Sequence, residues 1–182
     1  MNLYNMNMNM ITPSIIVIEN FYEEPDKIRE YALQQKYRYG GTSFPGKRTD
    51  NNYYPTGIHD TLKTLLSPYF SDIRISERSS NGEFQITNKH DKSWIHQDKM
   101  SEKFKATIAG VCYLTPNAPL DSGTIFFEKD FDNNGYIQTD TINNKYNRLV
   151  LFNGLLHHIS GKYFGTADND ARLTQVFFLE CS

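Results

Sequence analysis

Hydrophobic and polar positions divide the chain into two unlike regions. Residues 14–19 form a short β-branched run, and acidic and turn residues follow before Pro25. From Pro25 to about Gln35 a helix is predicted. Proline suits its first turn, Glu24 and Asp26 suit its N-terminus, and Ile28, Tyr31, Ala32 and Gln35 share one face. Residues 39–57 are dense in Gly, Pro and Asn and read as an ordered surface loop. A second helix is predicted over 59–69, where Ile58, Leu62, Leu65, Leu66 and Tyr69 recur at helical spacing.

Beyond Asp72 the pattern changes to short runs that suit strands: 73–77, 83–87, 93–96, 107–114, 124–129, 148–153 and 173–179. Turn formers separate them at Ser80-Asn81-Gly82, 116–123, Asp132-Asn133-Asn134-Gly135 and 161–170. Two helices followed by about seven strands give a mainly β, α+β fold class: a jelly roll with two N-terminal helices packed on one sheet. No internal repeat or linker divides the chain, so residues 1–182 are expected to form one domain with a flexible leader at 1–12 and a jelly-roll core at 73–179.

Composition narrows the function classes. A net charge of -2 gives no broad electropositive surface, which disfavours nucleic acid as a partner. Cys112 and Cys181 lack metal or redox spacing and read as unpaired thiols of a reducing compartment. The Asn- and Met-rich start has neither a signal peptide's basic end nor a membrane-length apolar run, so a soluble, cytoplasmic protein without a membrane partner is expected.

Candidate chemistry gathers late in the chain. In His96-Gln97-Asp98 the imidazole and carboxylate are two apart on an extended segment and can converge on one ion. Downstream, the apolar run 147–153 leads into Gly154-Leu155-Leu156-His157-His158. A histidine delivered there completes two imidazoles and one carboxylate on one face of a metal, leaving positions open for an oxo-acid and dioxygen. His157 and His158 point to opposite faces of a strand, so one of them is the ligand. Arg172 and Thr174 share a face of the last strand and form a receptor suited to a carboxylate.

His96-x-Asp98, His158 and Arg172-x-Thr174, in that order, resemble the Fe(II)- and 2-oxoglutarate-dependent dioxygenase superfamily. The run Ala109 to Pro116, with Ser122-Gly123-Thr124 after it, is similar to the prolyl-hydroxylase-like branch. The resemblance implies a double-stranded β-helix. It makes His96, Asp98 and His158 the iron ligands, with His157 as the alternative to His158. It puts 2-oxoglutarate on Arg172 and Thr174, with the Tyr113 hydroxyl in contact. It also implies dioxygen as cosubstrate, ascorbate as a supporting reductant, and hydroxylation of an amino acid, peptide or protein side chain, or small metabolite. Asp98 stands where halogenating members have a small residue, which favours hydroxylation. A non-enzymatic jelly-roll binding module and a cupin-like metal dioxygenase independent of 2-oxoglutarate are the alternatives. His59 and His90 read as surface histidines. Residues 37–54 are a candidate wall or lid for the site; Lys47-Arg48 within them read first as a solvated charge pair on a structural loop, and otherwise as a pair that attracts an anionic group.

Overall fold

A computed structural model describes residues 13–78, 80–98 and 106–182; the leader expected at residues 1–12 lies outside them. Helices α1 (Pro25–Leu33) and α2 (Ile58–Leu66) lie close to their expected spans. Pro25 starts α1, and Asp26 favours the partial positive charge of its first turn.

Eleven strands are described: β1 (Ile15–Ile18), β2 (Tyr37–Tyr39), β3 (Lys47–Thr49), β4 (Ile73–Ile75), β5 (Phe84–Thr87), β6 (Ala106–Tyr113), β7 (Thr124–Asp130), β8 (Gly135–Ile142), β9 (Leu149–Asn153), β10 (His157–Ser160) and β11 (Arg172–Cys181). The large antiparallel sheet runs β1-β9-β6-β11-β5-β3-β2, with β4 also on β11; the small one runs β10-β7-β8. Two sheets face to face with two helices on the outside make the expected jelly roll.

Alternation along the central strands creates two cores. Leu173, Phe177 and Leu179 of β11, Cys112 of β6 and Leu149 and Leu151 of β9 pack against Ile28, Ala32, Leu62 and Leu66 of the helices. Their neighbours Val176, Phe178, Ala109, Tyr113, Val150 and Phe152 turn inward to meet Phe126 of the small sheet. Arg172 and Thr174 belong to this inward set, so two polar side chains enter an otherwise apolar interior. Both cysteines are buried and unpaired. Burial raises the Cys112 thiol and pushes Cys181 up to about 12, where Asp72 and Glu180 add to it.

Three expectations need correction. Residues 93–96 do not form a strand; only His96 pairs, through a single bridge to His158, because the flanking residues find no neighbouring strand. The stretch read as a loop over 39–57 contains β3, which forms a hairpin with β2 and joins the sheet through β5. His59 is half-buried with its ring against Tyr54, whereas His90 is exposed as expected.

Candidate active site

The interior face of β11 builds one wall. Arg172 is 3% exposed; its Nε donates to the Ser122 carbonyl at 2.8 Å and an Nη to the Gly123 carbonyl at 3.3 Å. These bonds fix the guanidinium 5.4 Å above the Tyr113 ring and leave further N–H groups for a ligand. Among the described residues no carboxylate pairs with Arg172. Beside it, the hydroxyl of Thr174 is buried without a hydrogen-bond partner among the described residues. An orphaned hydroxyl of this kind carries an unrecovered desolvation penalty, which an arriving carboxylate would relieve.

The opposite wall comes from β10 and the segment carrying His96. His96 and His158 exchange both backbone hydrogen bonds, at 3.0 and 2.9 Å, and their ring centroids lie 4.3 Å apart. The His96 Nδ1 is 3.0 Å from the Trp94 carbonyl and the His158 Nδ1 2.9 Å from the Leu156 carbonyl. A carbonyl only accepts, so each ring keeps its proton on Nδ1 and leaves the Nε2 lone pair for a metal. Asp98 Oδ2 is 3.7 Å from His158 Nε2. Burial, and then the neighbouring His96, hold the His158 imidazole below the usual histidine range, in the neutral form that ligates.

Backbone contacts place Asp98. Its N–H donates to the Gly154 carbonyl at 2.8 Å, and Gly154 N–H donates to the Thr107 carbonyl at 2.8 Å. A Cβ on Gly154 would stand 3.1 Å from that Thr107 oxygen and 3.2 Å from the Asp98 Cβ, so the close approach favours glycine. Asp98 Oδ1 also faces Arg78 at 3.8 Å. As the side chains stand, no three His, Cys, Asp or Glu groups among the described residues converge tightly enough to hold a metal. The donor types and free Nε2 atoms nevertheless fit an Fe(II) ion held by two imidazoles and one carboxylate.

Both walls border one cavity of about 350 Å³. His96, Asp98, His158, Arg172 and Thr174 all line it. Tyr113 does not; its hydroxyl is bonded at 2.7 Å to Thr124 Oγ1, and Thr124 is the residue that reaches the cavity. His157 turns to the other face of β10, with its ring 5.0 Å from that of Tyr136. The 37–54 stretch contributes Phe44 and Arg48, while Lys47 points away to Asp168 at 2.7 Å. Arg78 and Thr124 also line the cavity without having been singled out. Arg78 follows β4 with no motif to mark it, whereas Thr124 lies in a Ser-Gly-Thr segment that reads equally well as a turn.

A family model described as Family of unknown function (DUF6445) matches residues 4–134. The chain belongs to that family. The span matched within this DUF6445 chain includes His96, Asp98 and Tyr113 and ends before His158 and Arg172. No curated protein matches the sequence.

Among solved structures the DUF6445 chain is similar to HygX from Streptomyces hygroscopicus with nickel, 2-oxoglutarate and hygromycin B bound. Identity is 13%, TM-score 0.61, and the match covers 94% of this chain and 84% of that one. A Pseudomonas putida prolyl-4-hydroxylase is similar at 12% identity and TM-score 0.56, covering 93% of each chain. A Trichoplax adhaerens prolyl hydroxylase, in complex with a hypoxia inducible factor peptide fragment, is similar at 13% identity and TM-score 0.54. That match covers 92% of this chain and 84% of the other. The fold of the DUF6445 chain is thus the jelly roll of 2-oxoglutarate oxygenases. Among the described residues no helix is long and apolar enough to cross a membrane.

Proposed function

We propose that the chain is an Fe(II)- and 2-oxoglutarate-dependent oxygenase that hydroxylates an amino acid, a peptide or protein side chain, or a small metabolite. His96, Asp98 and His158 would hold the metal, and Arg172 and Thr174 the cosubstrate, with Tyr113 behind them through Thr124. One observation carries this reading. Two imidazoles and a carboxylate, with the His158 Nε2 3.7 Å from Asp98 Oδ2, face across a single cavity a guanidinium that has no carboxylate and a hydroxyl that has no partner among the described residues. HygX, solved with nickel and 2-oxoglutarate on the same fold, supports it.

When bound, the iron would supply dioxygen activation: one oxygen atom goes to the substrate C–H as hydroxyl, and the other converts 2-oxoglutarate to succinate and carbon dioxide. The chain's own residues bind and orient. Arg172 offers charge-assisted hydrogen bonds to the distal carboxylate, and Thr174 Oγ1 donates to the same group. Ser122, Gly123 and the Tyr113 ring fix the guanidinium in advance, so less order is lost on binding. Phe152 and Phe178 give the cavity part of an apolar lining, and contacts made against such a surface are stronger than in open water.

The deciding experiment is anaerobic addition of Fe(II) and then 2-oxoglutarate, with a search for the weak visible metal-to-ligand charge-transfer band. A band lost in both His96→Ala and Arg172→Ala supports the reading. A folded, metal-loaded protein with no band refutes it.

A further inference from the structure

Among the described residues, the cavity mouth carries more positive charge than the cofactors need. Arg48, Arg78 and Arg172 line the cavity, and Arg38 lies behind Arg48. Among the described residues two carboxylates serve these four guanidiniums. Glu83 is shared, since it accepts from Arg38 through Oε1 while its Oε2 is 3.8 Å from Arg48. Asp98 faces Arg78 at 3.8 Å. Arg48 donates to Gln85 at 3.3 Å, yet its Nε is buried without a hydrogen-bond partner among the described residues.

Both mouth arginines are held ready by aromatic faces. The Arg48 guanidinium lies 4.5 Å from the Phe44 ring centroid, and that of Arg78 lies 4.7 Å from the Phe178 centroid. Stacking of this kind orients the planar fork while its edge donors stay available. The adjacent Lys47 and Arg48 have divided roles, because Lys47 is turned outward to Asp168.

We propose that Arg48 and Arg78 form an oxyanion receptor for the substrate, which therefore carries a carboxylate or phosphate group. The word substrate rests on the oxygenase reading; the receptor does not. A divalent ion and the two carboxylates of 2-oxoglutarate offset each other in charge. Asp98, at 3.8 Å, lies beyond hydrogen-bond reach of Arg78, so among the described residues it leaves the Arg78 donors open with or without the ion. The excess that remains at the mouth is matched by an anionic substrate and not by a neutral one.

The test uses the full-length chain without metal, so that it stands apart from the charge-transfer experiment. Trp94 is the single tryptophan and lines the same cavity, so its indole N–H resonance reports on the mouth. The probes are N-acetylglycine, methyl phosphate and the neutral N-acetylglycinamide. The expected result is a saturable shift with at least one anion and none with the amide. Arg78→Gln should weaken that binding about tenfold, as should Arg48→Gln. The partly exposed Arg78 keeps the test usable if the more buried Arg48→Gln variant fails to fold. The tighter anion identifies the group. The proposal is overturned if the amide shifts the resonance equally, if folded Arg78→Gln protein titrates like wild type, or if only Arg172→Gln abolishes binding.

Discussion

His96 and His158 are locked in register by an isolated pair of backbone hydrogen bonds, with no regular strand around His96 to share the task. The main chain thus sets the spacing of the two proposed metal ligands, and the Nδ1 contacts to the Trp94 and Leu156 carbonyls aim their rings. Adjacent histidines on β10 then have separate fates. His158 enters the cavity, and His157 packs on Tyr136.

That separation gives the first prediction. His158→Gln should weaken Mn(II) or Ni(II) binding by at least about 100-fold, a larger loss than removal of a group outside the ligand set gives. His157→Gln should bind metal as wild type does. Isothermal titration of both variants checks this, and equal losses would remove His158 from the ligand set.

Thr174 gives the second. Its hydroxyl has no partner among the described residues, so Thr174→Val should leave the urea midpoint nearly unchanged or slightly raised. The same change should lower 2-oxoglutarate affinity about tenfold, the worth of one hydrogen bond to a charged group. A variant that loses stability but keeps its affinity would assign Thr174 to the fold alone.

Asn81 supports the Arg78 turn and gives the third. Its amide donates to the Ser76 and Phe178 carbonyls at 2.8 and 2.9 Å, and its Oδ1 accepts from Phe178 N–H at 2.9 Å. The residue is 1% exposed, so Asn81→Ala leaves the Ser76 carbonyl and the Phe178 N–H without this partner, while the Phe178 carbonyl keeps the Ser76 N–H, and should destabilise the protein by about 3 kcal/mol. Chemical denaturation tests this; a loss below about 1 kcal/mol would mean that water replaces the amide.

The fourth concerns pH. Hydrogen bonding to Arg148 holds the Glu19 carboxyl below the usual glutamate range, with a smaller contribution from Lys145. A depressed carboxylate stabilises the fold above its unfolded-state pKa, and that contribution disappears as pH falls through the folded-state value. Glu19 is 39% exposed on its side chain, so the pair contributes at most about 1 kcal/mol. The difference in unfolding free energy between wild type and Glu19→Gln should be present at neutral pH and vanish in acid. A difference that persists in acid would trace to packing.

Much of the fold was legible because alternation and burial agree on the central strands. In β11 every second residue faces the helices and every other faces the interior, so the pattern that announced a strand also paired Arg172 with Thr174. The helices were legible for the same reason: Ile28 and Ala32, and Leu62 and Leu66, sit on one face of each. Strands β2 and β3 were hidden by the turn formers around them, since three-residue strands are too short to show a period. Strand β8 was missed because most of its residues are exposed and polar. His-x-Asp and the distal histidine are local sequence features, whereas Arg78 reaches the cavity only through tertiary packing on Phe178 and Asp98. No periodicity could have announced it.

Gly154 acts as a spacer gauge. A methyl group there would press on the Asp98 Cβ and the Thr107 oxygen, and one of them would have to yield by a few tenths of an ångström. Displacing the carboxylate relative to two imidazoles whose separation is set by the main chain would change the size of ion the three groups can share. In the proposed metal site a residue with no side chain thereby becomes a tuning point for metal preference, open to adjustment without altering any of the three proposed ligands.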